Sequence, residues 1–179
     1  KEYEEVFNSI NIDTESADIE IKEIEDGKTH VVIYDDYDKT TVKDTDNILD
    51  INVNTKKCNF FCINIKKAKI VIYLPIDYDK QIKINNEYGD IKIGNFEKAI
   101  LDIDSDYGDI DIESIYDVII KEDYGDIKIG KVLNYLNIDQ DCGDVRIEEV
   151  NINKNSKITN DFGDIKNNAS GPIKPSFPF

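Results

Sequence analysis

One short unit recurs five times in the second half of the chain. The copies are Glu87-Tyr88-Gly89-Asp90-Ile91, Asp106-Tyr107-Gly108-Asp109-Ile110, Asp123-Tyr124-Gly125-Asp126-Ile127, Asp141-Cys142-Gly143-Asp144-Val145 and Asp161-Phe162-Gly163-Asp164-Ile165. Their glycines are spaced by 19, 17, 18 and 20 residues. A near-constant short period means one supersecondary unit stacked on copies of itself.

The columns of the repeat say which unit. Ile91, Ile110, Ile127, Val145 and Ile165 lie two residues after each glycine, and Ile84, Ile103, Ile120, Ile138 and Ile158 lie five before it. Further apolar columns hold Ile93, Ile112, Ile129 and Ile147, then Ile82, Leu101, Val118 and Leu136, then Phe96, Ile115, Val132 and Val150; Asn167 and Ser156 break two of them. Apolar positions two apart are strand periodicity, and β-branched residues suit a pleated surface. Each copy therefore predicts two short strands meeting at the glycine, which supplies a positive φ or a tight corner. A unit this small buries its apolar face only by stacking on its neighbours at about 4.8 Å. The expected fold is all-β, a single-domain parallel β-solenoid of β-helix or β-roll type, with about 18 residues per coil.

The same template fits upstream with Ala17 in the glycine position. Ile10, Ile12, Ile19, Ile21 and Ile24 then fill the apolar columns, and Glu15 and Asp18 the acidic ones. Ala17 is 72 residues before Gly89, four periods of 18, so the expected domain covers 1–170. Irregular coils occupy about 6–81 and regular repeats about 82–168. Strand-like runs in the irregular part are Thr29–Tyr34, Ile48–Val53, Phe60–Ile65 and Ile70–Leu74, with turn signals at Asp26-Gly27, 35–38 and Asp44–Asn47. These predict about three irregular coils. The tail 171–179 holds three of the four prolines and reads as a cap or extended terminus.

Formal net charge is −16, which argues against nucleic acid and against anionic lipid as partners. No apolar run is long enough to span a membrane. The chain has no Met and begins at Lys1, so a signal peptide, anchor or other segment is expected before it. Of the three cysteines, Cys58 and Cys62 pair only across a turn, and Cys142, in the aromatic column, reads as a buried free thiol. The one histidine, His30, reads as a surface residue, and no four-ligand zinc set is available.

Two acidic columns flank the Tyr-Gly pair: Glu87, Asp106, Asp123, Asp141 and Asp161, and Asp90, Asp109, Asp126, Asp144 and Asp164. Stacked neighbours at about 4.8 Å repel by roughly 0.9 kcal/mol even in water. Two offsets are available: the mostly basic column Lys92, Asp111, Lys128, Arg146 and Lys166, or bound calcium on these ten carboxylates. Asp at a turn also bonds its own backbone. Tyr88, Tyr107, Tyr124 and Phe162 form an aromatic column that either stacks along the solenoid or binds sugars or peptides. The calcium-binding nonapeptide β-roll of secreted toxins is similar in period, but this chain has one Gly-Asp per coil and no Gly-Gly doublet.

The strand Ile70-Val71-Ile72-Tyr73-Leu74-Pro75, the run Ile82–Ile93 and the repeated Gly-Asp-Ile units resemble the bacterial β-strand-repeat domain of unknown function known as "putative adhesin". The N-terminal pieces Phe7–Ile12, Ala17–Ile21, Val31–Tyr34 and Asn47–Ile51 are similar too, so the likeness covers nearly the whole chain. The resemblance implies an extracytoplasmic β-solenoid at a bacterial cell surface, membrane-anchored or secreted, and no catalytic residues. The expected function is a non-enzymatic surface module, adhesin or envelope scaffold or sensor, binding a protein or glycan and requiring no cofactor. A calcium-stabilised spacer and a β-helix enzyme acting on polysaccharide are the alternatives. Against the enzyme, its acids repeat in every coil, whereas an active site is a single constellation.

Overall fold

The computed structural model of the chain describes residues 1–34, 39–54, 67–151, 156–167 and 173–176. These form fifteen strands joined in one sheet, without a helix among the described residues. They are β1 (Glu2–Tyr3), β2 (Ser9–Thr14), β3 (Ala17–Ile24), β4 (Thr29–Tyr34), β5 (Lys39–Thr45), β6 (Ile48–Asn54), β7 (Ala68–Pro75) and β8 (Gln81–Tyr88). Then come β9 (Ile91–Tyr107), β10 (Ile110–Tyr124), β11 (Ile127–Cys142), β12 (Val145–Val150), β13 (Ser156–Phe162), β14 (Ile165–Asn167) and β15 (Ile173–Ser176).

Pairing follows the apolar columns. Ile110 lies between Ile91 and Ile127 in parallel register, and Val118 between Leu101 and Leu136. The first halves of β9, β10 and β11 stack with β3, β12 and β14 in one ladder, and their second halves with β2, β8, β13 and β15 in another. The long strands thus pass from one ladder to the other. The result is a solenoid-like stack with two walls. The inward side chains of both walls form one buried cluster, including Ile103, Ile112, Ile120, Ile129 and Ile138. Each fully buried aliphatic side chain contributes about 1.5–3 kcal/mol.

Unequal glycine spacing is absorbed at the corner opposite the glycines. The register of β10 with both neighbours shifts between Ile115 and Asp117, where Ile100 on β9 and Tyr135 on β11 face Asp117. Extra residues there bulge out without moving any column.

The structure corrects the N-terminal half. β2 and β3 do form a coil of the predicted template, but no coils separate it from the regular array. β2 pairs directly with β8 (Ile10 opposite Ile82) and β3 with β9 (Ile19 opposite Ile91). The 72-residue interval is a detour. It lays β6 and β7 on the far side of β2 and β3, then adds β5 and β4 antiparallel to them. The β5–β6 hairpin closes at Asp46 and Asn47 with φ of 53° and 60°, a two-residue turn whose twist matches paired strands. β5 carries no strand signal in the sequence, because Lys-Thr-Thr-Val-Lys-Asp-Thr holds a single aliphatic residue. The expected run at 60–65 and the turn at 35–38 lie outside the described residues.

Four residues of the tail are described. Ile173–Ser176 pairs in parallel with β13, adding a rung at the edge of the sheet. Pro175 is tolerated there because an edge strand does not need every N–H.

Candidate interaction edge

The Gly-Asp corner is fixed by the backbone before any side chain acts. The amide of each of the first four corner glycines donates to the carbonyl of the residue before the next corner: Gly89 to Tyr107 at 2.9 Å, Gly108 to Tyr124 at 3.1 Å, Gly125 to Cys142 at 3.1 Å and Gly143 to Phe162 at 2.9 Å. The residues before the glycines are therefore held in register, Tyr88 opposite Tyr107, Tyr107 opposite Tyr124, Tyr124 opposite Cys142 and Cys142 opposite Phe162.

Register becomes a ring stack. Tyr88 and Tyr107 lie with centroids 5.1 Å apart and planes 2° from parallel; Tyr107 and Tyr124 lie 5.0 Å apart at 5°. The three rings are still 49%, 44% and 49% exposed, and Phe162 is 72% exposed. Their flat faces are turned to one another, so the ridge offers ring edges and hydroxyls to solvent. Sugars that stack on aromatic faces find little face available between coils. Desolvation by the flanking side chains raises the Tyr107 hydroxyl above its ordinary pKa, with the Tyr124 and Tyr88 rings and the Asp106 and Asp123 carboxylates adding to it. The hydroxyl is thus a donor throughout the neutral range.

Cys142 sits in this same column as a free, half-exposed thiol, which corrects the expectation of a buried one: the column faces outward at every rung. Cys58 and Cys62 lie outside the described residues. His30 is half-buried on β4, its Nε2 2.6 Å from Asp26 Oδ2 and its ring edge-on to Tyr73.

The two acidic columns have different jobs. In the second, each carboxylate accepts the backbone amide of the matching aspartate one rung on. Asp90 N–H donates to Asp18 Oδ1 at 3.0 Å, Asp109 to Asp90 at 3.2 Å, Asp126 to Asp109 at 3.0 Å, and Asp144 to Asp126 and Asp164 to Asp144 at 2.9 Å. This ladder starts at Asp18, the residue the template match had placed in the acidic column. Charge-assisted bonds of this kind offset the repulsion between stacked carboxylates. Basic neighbours add little, since Lys67 approaches Asp18 only to 3.6 Å and Lys166 approaches Asp164 to 3.9 Å, both pairs exposed. The first column, Glu87, Asp106, Asp123, Asp141 and Asp161, lines the other flank of the aromatic ridge. Among the described residues no three His, Cys, Asp or Glu side chains are grouped as a metal ion would need. One oxygen of each carboxylate from Asp18 to Asp144 in the second-column ladder is engaged by an amide.

A polar column also faces inward. Asn86, Ser105, Glu122, Gln140 and Asn160 stand three residues before each glycine and are 0–2% exposed. Asn86 Nδ2 donates to the carbonyls of Gly89 at 2.9 Å and Ala17 at 3.3 Å, Asn160 Nδ2 to that of Gly143 at 2.8 Å, and Gln140 Nε2 to that of Gly125. The signal was present: position three before the glycine shares the parity of the isoleucine five before it, so a polar residue there faces inward.

Residues 7–171 match the Toastrack DUF4097 family. The chain belongs to it. Two solved structures share the Toastrack chain's fold. One is described as a putative cell adhesion protein from Clostridium sporogenes ATCC 15579, at TM-score 0.55 and 13% identity over 93% of this chain and 99% of that one. The other is described as a putative adhesin from Bacteroides fragilis NCTC 9343, at TM-score 0.51 and 18% identity over 98% of this chain and 95% of that one. No curated protein matches the chain.

Proposed function

We propose that this Toastrack chain is a non-enzymatic module of the bacterial cell surface. Its coils of about 18 residues serve to hold an aromatic and acidic ridge in fixed register for a basic protein partner. The observation that carries this reading is the stacked, half-exposed Tyr88–Tyr107–Tyr124 ridge between two carboxylate columns, on a chain of net charge −16. Tyrosine offers large contact area at low entropy cost, and flanking carboxylates steer and orient a cationic surface. The adhesion-related names of the two structural neighbours agree with a surface role. A protein partner is favoured over a glycan because ring stacking leaves edges and hydroxyls, not faces, on offer.

Protein and glycan arrays probed with this chain and with its Tyr88→Ser/Tyr107→Ser/Tyr124→Ser variant test the proposal. Basic proteins should be captured by the parent chain, less so at high salt, and at least tenfold more weakly by the variant. Glycan capture that survives the triple substitution, or turnover of a cell-wall polysaccharide, would overturn it.

A further inference from the structure

Three amide rungs of the inward column do one thing. Asn86, Gln140 and Asn160 each turn an NH2 group to the carbonyl of the corner residue one rung back, Ala17, Gly125 and Gly143 respectively. Glu122 fills the equivalent place, 1% exposed, opposite Ser105 on β9 and Gln140 on β11. A Cβ built on Gly163 would meet the Gly143 carbonyl oxygen and stand 3.1 Å from Asn160 Nδ2; one on Gly143 would meet the Gly125 carbonyl oxygen and stand 2.7 Å from Gln140 Nε2. The same construction on Gly125 meets the Gly108 carbonyl oxygen and stands 3.1 Å from Glu122 Oε1. An oxygen of Glu122 therefore occupies the position that its neighbours give to an N–H donor.

A carboxylate cannot act there. It would set a buried negative oxygen against a buried carbonyl oxygen, and neither Glu122 oxygen has a hydrogen-bond partner as an acceptor. A carboxylic acid removes the charge and turns one of these oxygens into a donor, leaving a single neutral oxygen unpartnered, as in Asn86, Gln140 and Asn160. We propose that Glu122 is held as a neutral acid whose O–H donates to the Gly108 carbonyl, so that the central rung of the stack is a proton-held joint that weakens as the medium turns alkaline.

The surroundings favour the neutral form. Burial is the main cause that pushes the Glu122 carboxyl up to about 8, with the Asp123 and Asp106 carboxylates adding to it; the Ser105 hydroxyl and the Tyr124 amide, close but outside good hydrogen-bond geometry, oppose it. The charged groups on the strands around it are mostly acidic: Asp106 on β9, Asp123 on its own strand, Asp141 on β11, and Asp109 and Asp126 beyond the corner. The nearest base along the strand, Lys121, is exposed and lies 3.6 Å from Asp104. In the unfolded chain the carboxyl titrates at its ordinary 4.5. Folding therefore takes up a proton between about 4.5 and about 8. Within that window the folding constant falls about tenfold per pH unit, and above it the loss levels off.

The test is a series of urea melts from pH 5 to pH 9.5 on the parent chain and on Glu122→Gln, which supplies a permanent donor of similar shape. The ratio of the two folding constants should shift in favour of the glutamine by up to tenfold per unit to about pH 8, then stay flat. A ratio that does not change between pH 5 and pH 9.5 would overturn the proposal. A 13C-detected titration of the Glu122 carboxyl in the unaltered protein decides the matter without any variant: a midpoint near 8 supports it, and one near 4.5 sinks it. Neither readout depends on the tyrosine ridge having a partner.

Discussion

At Gly108 the backbone has φ of +146°, which L side chains rarely adopt, and a Cβ would collide with the carbonyl oxygen of Gly89 on the preceding rung. Two separate constraints thus fall on one residue. Gly108→Ala should cost about 3 kcal/mol or more in a urea melt, since the corner must both strain and move apart; a loss under about 1 kcal/mol would mean that the corners are loosely held. The glycine was legible in the sequence, and so was its conformational demand. Its second constraint was not, because close approach depends on which backbone lies on the next rung. Asp109 shows the same limit from the other side. Its recurrence after each glycine pointed to turn chemistry within its own coil, whereas its carboxylate in fact accepts the amide of Asp126 on the neighbouring one.

Strands reveal how exceptions in a repeat are made harmless. Ser156 breaks an apolar column, yet it is buried, and its hydroxyl accepts the Leu136 amide at 3.0 Å. Ser156→Ala restores apolar character but orphans that N–H, so it should lower stability by about 1–3 kcal/mol despite looking like an improvement. Thermal melts of the variant check this, and a raised melting temperature would refute it. The regular strands β8 to β13 were legible because alternation of Ile, Leu and Val leaves one choice of inward face. The template match at Ala17 found the right residues in β2 and β3 as well. It misplaced them because 72 residues of sequence equal either four stacked coils or one direct contact with a detour, and spacing alone does not distinguish these. The detour strands β4 to β7 follow no repeat, and two of them run antiparallel.

The whole molecule carries 38 acidic and 22 basic residues, and its stability is set partly by that imbalance. Screening should raise the melting temperature as sodium chloride increases from 10 to 300 mM, approximate values chosen to shorten the Debye length from about 30 Å to under 8 Å. Calcium should do no more than magnesium at equal ionic strength, because one oxygen of each second-column carboxylate from Asp18 to Asp144 already accepts an amide. A calcium-specific rise of several degrees, reversed by EDTA, would instead restore the reading of the ten-carboxylate edge as a metal ladder. The stacking order has one more consequence, for the growing polypeptide. β2 and β3 are synthesised before the strands that flank them, yet they are interior to the finished stack, with β6 and β7 on one side and β8 and β9 on the other. They cannot serve as a seed on which later coils accrete one at a time. β2 waits for strands about 40 and 72 positions downstream before either edge is covered. Assembly during translation therefore closes around β2 and β3, which are made before every strand that encloses them.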